Sequence, residues 1–118
     1  MGSDPIKILI VDDDEGVLIE LERLLEGEGY STATAWSGQQ ALALSDGSRF
    51  DLLLIDEQLS DFDSETLLAA LQARQPTAFR LLMHNDARPN PGLKRSHAAV
   101  CKWKHAELKA GIRRCLAA

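Results

Sequence analysis

Short, nearly continuous apolar runs alternate along the chain with stretches in which apolar residues return every three or four positions. Ile6 to Val11 is the first such run, the pattern of a strand covered on both faces, and it stops abruptly at Asp12. Asp14 then stands where an N-cap belongs. The helix it opens carries Val17, Leu18, Leu21, Leu24 and Leu25 on one stripe and closes at Gly27 and Gly29. Tyr30 to Ala35 predicts a second strand. Ser37-Gly38-Gln39-Gln40 then reads as a capping box opening a short helix through Ala41, Leu42 and Leu44. A third strand, Leu52 to Ile55, also ends at a carboxylate, Asp56. Helix three is expected from about Ser64 to Arg74, with Pro76 ending it, and strand four from Phe79 to Met83. From His84 the rhythm weakens, since Pro89 and Pro91 leave room only for a short fourth helix. Ala98 to Cys101 predicts a brief fifth strand, and Ala106 to Leu116 a last helix burying Leu108, Ile112, Cys115 and Leu116. Five βα units imply an α/β domain with a doubly wound parallel sheet.

Composition narrows the setting. A chain of 118 residues, 45% hydrophobic and 26% charged, has the size and balance of one soluble domain. Its apolar runs are strand-sized, so no membrane segment is expected. Residues 1–5 lack the basic and apolar regions of a signal peptide and read as an N-terminal extension or tag remnant, leaving 6–118 as the domain and the cytoplasm as the expected location. Cys101 and Cys115, without a secretory signal, are expected to be reduced and buried. The net charge of −5 hides an asymmetry: residues 88–118 carry eight Lys/Arg against Glu107 alone, whereas residues 1–87 carry five against seventeen acids. The cations fall at helical spacing without interleaved aromatics. That favours a basic C-terminal face for a downstream protein or for self-association, and argues against nucleic acid.

The candidate chemistry lies at the strand ends. In an open parallel sheet, ligands sit beyond the carboxyl ends of strands where the winding reverses. With strands in the order 2-1-3-4-5, Asp12, Asp13 and Asp56 would converge there. Their repulsion calls for a cation, and a small all-oxygen donor set open to water and phosphate suits Mg²⁺ better than zinc. A carboxylate beside such a metal can attack phosphorus. Asp56, alone at its strand end, is the candidate, and Lys102 beyond the fifth strand would place an ammonium on the phosphoryl oxygens.

Ile8-Leu9-Ile10-Val11-Asp12-Asp13-Asp14, Phe50-Asp51-Leu52-Leu53-Leu54-Ile55-Asp56 and Val100-Cys101-Lys102 together resemble the receiver domain of bacterial response regulators, over essentially the whole chain. The resemblance implies a flavodoxin-like five-stranded sheet and a signalling function rather than an enzymatic one. Asp56 would accept phosphate from a histidine kinase or phosphotransfer protein. Asp13 and Asp56 would ligate Mg²⁺, Asp12 would do so through water, and the Gln58 carbonyl would complete the set. The chain also departs from the family. His84 stands where a Thr or Ser hydroxyl usually meets the phosphoryl group, and Ala99 where an aromatic usually follows that hydroxyl inward. A histidine N–H can still contact phosphate, but with different bulk and pH sensitivity. Trp103 replaces the Pro after the Lys, and the segment from His84 to Lys102 is shorter than usual. Ser60, Asp61 and Ser64 replace Pro, Gly and Gly, adding charge near the site.

Other readings compete at each position. Asp14 is accounted for as a helix cap. His97, Cys101, His105 and Cys115 form an imaginable zinc set whose spacing matches no strong motif. Trp36 and Trp103 are packing or partner-contact residues rather than cofactor platforms. Two rival functions remain open: an interaction module of this fold that no longer switches by phosphorylation, and a phosphatase similar to the haloacid dehalogenases with Asp12 as nucleophile.

Overall fold

The computed structural model describes residues 5–85 and 96–117. Its elements in chain order are β1 (Lys7–Val11), α1 (Glu15–Gly27), β2 (Ser31–Ala35), α2 (Gly38–Gly47), β3 (Leu52–Asp56), α3 (Ser64–Arg74), β4 (Phe79–His84), β5 (Ala98–Cys101) and α4 (His105–Ala117). The five strands form one parallel sheet in the order β2-β1-β3-β4-β5. Between β1 and β3 the winding reverses, and their register, Ile8 opposite Leu52 through Val11 opposite Ile55, brings both carboxyl ends to the same level.

The unbroken apolar runs follow from burial on both faces. Alternate strand residues point to opposite sides, so Ile8, Ile10, Leu52, Leu54, Leu81 and Met83 pack with the Leu and Val stripe of α1 and with Leu108 and Ile112 of α4. Their neighbours Leu9, Val11, Leu53, Ile55 and Leu82 pack with Ala41 of α2 and Leu67, Leu68 and Leu71 of α3. Every residue of β3 is buried, which places Asp56 at the floor of the sheet's carboxyl end rather than on its rim.

Element ends follow local chemistry. The Asp14 carboxylate accepts from the N–H groups of Gly16 and Val17, capping α1. Gly29, at φ 92°, takes the left-handed conformation that closes α1 before β2. Ser37 caps α2 by accepting from Gln40 N–H, but the Gln40 side chain accepts from Trp36 N–H rather than from Ser37, so the reciprocal capping box is displaced by one residue. The fourth strand runs one residue further than its hydrophobic pattern predicts, because Lys102 N–H donates to the His84 carbonyl and continues the ladder. The short fourth helix expected after His84, and residues 1–4 of the expected N-terminal extension, fall outside the described residues. No helix among the described residues is long and apolar enough to cross a membrane.

Candidate functional site

Three strand ends and one turn build the site. Asp12 follows β1, Asp13 opens the turn into α1, and Asp56 closes β3. One carboxylate oxygen from each lies within 4.8 Å of the others, and this is the cluster of potential metal ligands found among the described residues. The cysteines and histidines of the imagined zinc set do not assemble. Cys101 and Cys115 are buried thiols, His97 Nδ1 accepts from Arg80 N–H, and His105 faces Glu20 of α1.

The two aspartates at strand ends differ in how they are held. Asp12 is fully buried, with Oδ1 accepting from Asp14 N–H at 2.9 Å and Oδ2 from Lys102 Nζ at 3.0 Å. Lys102 also lies 3.6 Å from Asp56 Oδ2, and the ammonium is itself buried. Asp56 Oδ1 is buried without a hydrogen-bond partner. The Asp56 carboxyl is pushed up to about 6, chiefly by burial and then by the Asp12 charge. Lys102 and the Gln58 backbone N–H oppose that rise, and Asp13 adds to it. Burial alone would lower Lys102. The hydrogen bond to Asp12 and the charges of Asp56 and Asp12 outweigh it and hold the ammonium charged.

Three carboxylates against one ammonium leave an excess of two negative charges at one end of the sheet once all are ionised. A divalent cation bound by oxygen atoms neutralises that excess, and an unpartnered Asp56 oxygen is a ligand atom in waiting. The donor set therefore fits a hard divalent ion. Asp13, exposed, stands on the solvent side of the cluster.

His84, the last residue of β4, is buried and its Nδ1 has no partner. Asp56 pairs with Met83 in the β3–β4 register, so His84 stands one step beyond it at the same end of the sheet. Ala99 of β5 is half-buried and packs on the α2–α3 side of the core. Gln58 follows the phosphoacceptor candidate on the exposed loop into α3.

Residues 8–91 match the family model described as the response regulator receiver domain. The chain belongs to this family. As a receiver domain it is a module of phosphorylation-based signalling, a class that works with histidine kinases or other phosphodonors. The transcriptional regulatory protein ZraR of Escherichia coli is 40% identical over 83 residues, covering 70% of this chain and 19% of that protein. GlrR of the same organism, also a transcriptional regulatory protein, is 38% identical over 76 residues, covering 64% of this chain and 17% of that protein. The receiver chain thus spans about a fifth of these curated relatives. Among solved structures, a response regulator from Chloroflexus aurantiacus superposes with a TM-score of 0.87 at 28% identity, covering 98% of this chain and all of that one. The receiver domain of an HD domain-containing protein from Pseudomonas fluorescens gives 0.84 at 27% identity, covering 96% and 95%. The fold match thus extends well beyond residue 91, where the family-model match ends.

Two features of this receiver escaped the sequence pattern. Asp61 does not add free charge to the acidic site. Its two oxygens accept from Gly38 and Gln39 N–H at 3.0 Å each, binding the loop after β3 to the start of α2, and these bonds hold its carboxyl below the usual range against the opposing effect of burial. Ser64 Oγ donates to the Glu57 carbonyl and fixes the same loop from its other side. The Asp61 partners lie 23 and 22 residues back along the chain, and no local motif announces them or the Ser64 bond. Trp36 and Trp103, read as packing or partner-contact residues, are both more than half exposed, which argues against the packing reading.

Proposed function

We propose that this receiver takes a phosphoryl group on Asp56 from a phosphohistidine of a histidine kinase or phosphotransfer protein, with Mg²⁺ as the divalent ion. The carrying observation is the convergence of Asp12, Asp13 and Asp56 around a buried Lys102. Mg²⁺, held by Asp12, Asp13, Asp56 and the Gln58 carbonyl, would supply charge neutralisation on the transferring phosphoryl oxygens. The residues do the rest. An Asp56 carboxylate oxygen forms the O–P bond as the P–N bond to the donor imidazole breaks and its electron pair returns to nitrogen. Asp12 holds the Lys102 ammonium at the mouth of Asp56, where it faces the incoming oxygens. His84 offers a ring nitrogen to the same group.

The choice of Asp56 over Asp12 rests on engagement. Both Asp12 oxygens are bonded and the residue is fully buried, whereas one Asp56 oxygen is unpartnered. This also weighs against a phosphatase with Asp12 as nucleophile, and we read the domain as a signalling acceptor rather than a turnover enzyme. Incubation with Mg²⁺ and acetyl phosphate or a cognate kinase should yield a phosphoprotein that the Asp56→Asn variant does not form. Absence of label where a control receiver labels ends this reading.

A second reading, an interaction module that does not switch, is favoured by His84 and Ala99 where a hydroxyl and an aromatic are usual. It is lost if phosphorylation changes oligomeric state or affinity for a downstream partner and Asp56→Asn abolishes the change. Two cations of the basic C-terminal helix are already engaged, since Lys109 and Arg113 lie 3.6 and 3.7 Å from Glu28, the residue that caps the end of α1. Among the described residues, docking of a downstream protein or a second copy there would rely on Lys104 and Arg114, which remain exposed.

A further inference from the structure

We infer that Trp103 is a positioning residue for the Lys102 ammonium. Lys102 is the ammonium beside Asp12 and Asp56, and a lysine just past a strand end would ordinarily leave its head group in water. Here it is only 6% exposed, while its chain neighbour Trp103 is 54% exposed. The ammonium lies over the indole ring, 5.3 Å from the ring centroid, and reaches Asp12 at 3.0 Å and Asp56 at 3.6 Å. The group is therefore held between two carboxylates and an aromatic face. A tryptophan face attracts a cation more strongly than any other side-chain ring, and the attraction grows as water is excluded. An indole that is itself half in solvent contributes little to the core. Its contact with Lys102 supplies a physical reason for a large aromatic at this place.

The consequence is orientational. With the ring on one side, the ammonium keeps its remaining N–H directions for Asp12 and for whatever occupies the space at Asp56. It also loses less freedom when a phosphoryl group arrives. This consequence rests on Asp56 being the acceptor; the placement of Lys102 by Trp103 does not.

The test uses Trp103→Phe, which keeps a ring face, and Trp103→Leu, which keeps apolar bulk without one. Each is made alone and in a Lys102→Ala background. Labelling of the whole chain by acetyl phosphate with Mg²⁺ should slow about fivefold in Trp103→Leu and stay within about twofold of the parent in Trp103→Phe. In the Lys102→Ala background Trp103→Leu should cause no further change. Unchanged labelling in Trp103→Leu, or equal slowing with and without Lys102, overturns the inference. If the parent chain takes no label, the Asp56 reading fails and proton NMR decides this inference separately. The Lys102 ε-methylene resonances should lie upfield in the parent and in Trp103→Phe, and move downfield in Trp103→Leu. Coincident resonances in parent and Trp103→Leu overturn it.

Discussion

At Asp56, burial and the Asp12 charge work against ionisation, and the sign of that opposition is measurable. Its carboxyl lies at about 6 in the folded protein against 3.8 for an unperturbed side chain. Between those values the native state holds a proton that the unfolded chain has released, so metal-free stability falls as pH rises through this window. Above it the ionised group costs about 3 kcal/mol. Asp56→Asn should therefore raise the denaturant midpoint of the metal-free protein at pH 7.5 and leave it nearly unchanged at pH 3.5. A lowered or equal midpoint at pH 7.5 contradicts the account. His84 invites a second measurement. Its Nδ1 is buried without a partner, and a phosphoryl group at Asp56 would supply one. Addition of Mg²⁺ and beryllofluoride should shift the His84 ring nitrogen resonances in the parent and not in Asp56→Asn. At this scale the sequence was informative about identity and uninformative about engagement. Asp12 and Asp56 both end apolar runs, and although Asp56 stands alone at its strand end, that Asp12 is bonded at both oxygens and Asp56 is open at one follows only from the positions of Lys102 and Asp14 N–H.

Among the elements, the loop between β3 and α3 is where local pattern and structure diverge. Read along the chain, Ser60, Asp61 and Ser64 are extra polar groups beside an acidic site. In the fold, Asp61 caps α2 and Phe62 packs on Gly38, where an added Cβ would lie 2.4 Å from the Phe62 ring. The loop that follows the phosphoacceptor candidate is thereby clamped to the helix that follows Trp36. Gly38→Ala should cost about 1–3 kcal/mol by forcing the ring aside. Asp61→Ala should cost about 1 kcal/mol through loss of the cap. Urea melts check both, and an unaltered midpoint for Gly38→Ala would contradict the packing. The regular elements were otherwise legible, because strands buried on both faces and helices with a single apolar stripe have distinct periods. His84 joined β4 through its pairing with β5, opposite Cys101 and bonded to Lys102 eighteen residues away, partners that no local window contains.

For the whole molecule, metal and fold should be linked. A site that gathers three carboxylates in the native state and scatters them on unfolding binds a cation only when folded. Each tenfold rise in free Mg²⁺ above its dissociation constant should add about 1.4 kcal/mol of stability. Thermal melts should show a midpoint that climbs with Mg²⁺ and falls back with EDTA, and Asp13→Asn should flatten the climb. A midpoint independent of Mg²⁺ in the parent chain would remove the metal from the reading. The alternation of apolar runs and amphipathic stretches determined the α/β class, the order of elements and the carboxylates at two strand ends, since these follow from periodicity and from where each run stops. Tertiary structure decided which carboxylate is bonded and which is open, that Asp61 belongs to α2 rather than to the acidic site, and that Lys102 lies between Asp12 and an indole face. Those facts depend on register and on contacts spanning up to ninety residues, and side-chain order along a chain carries no record of such distances.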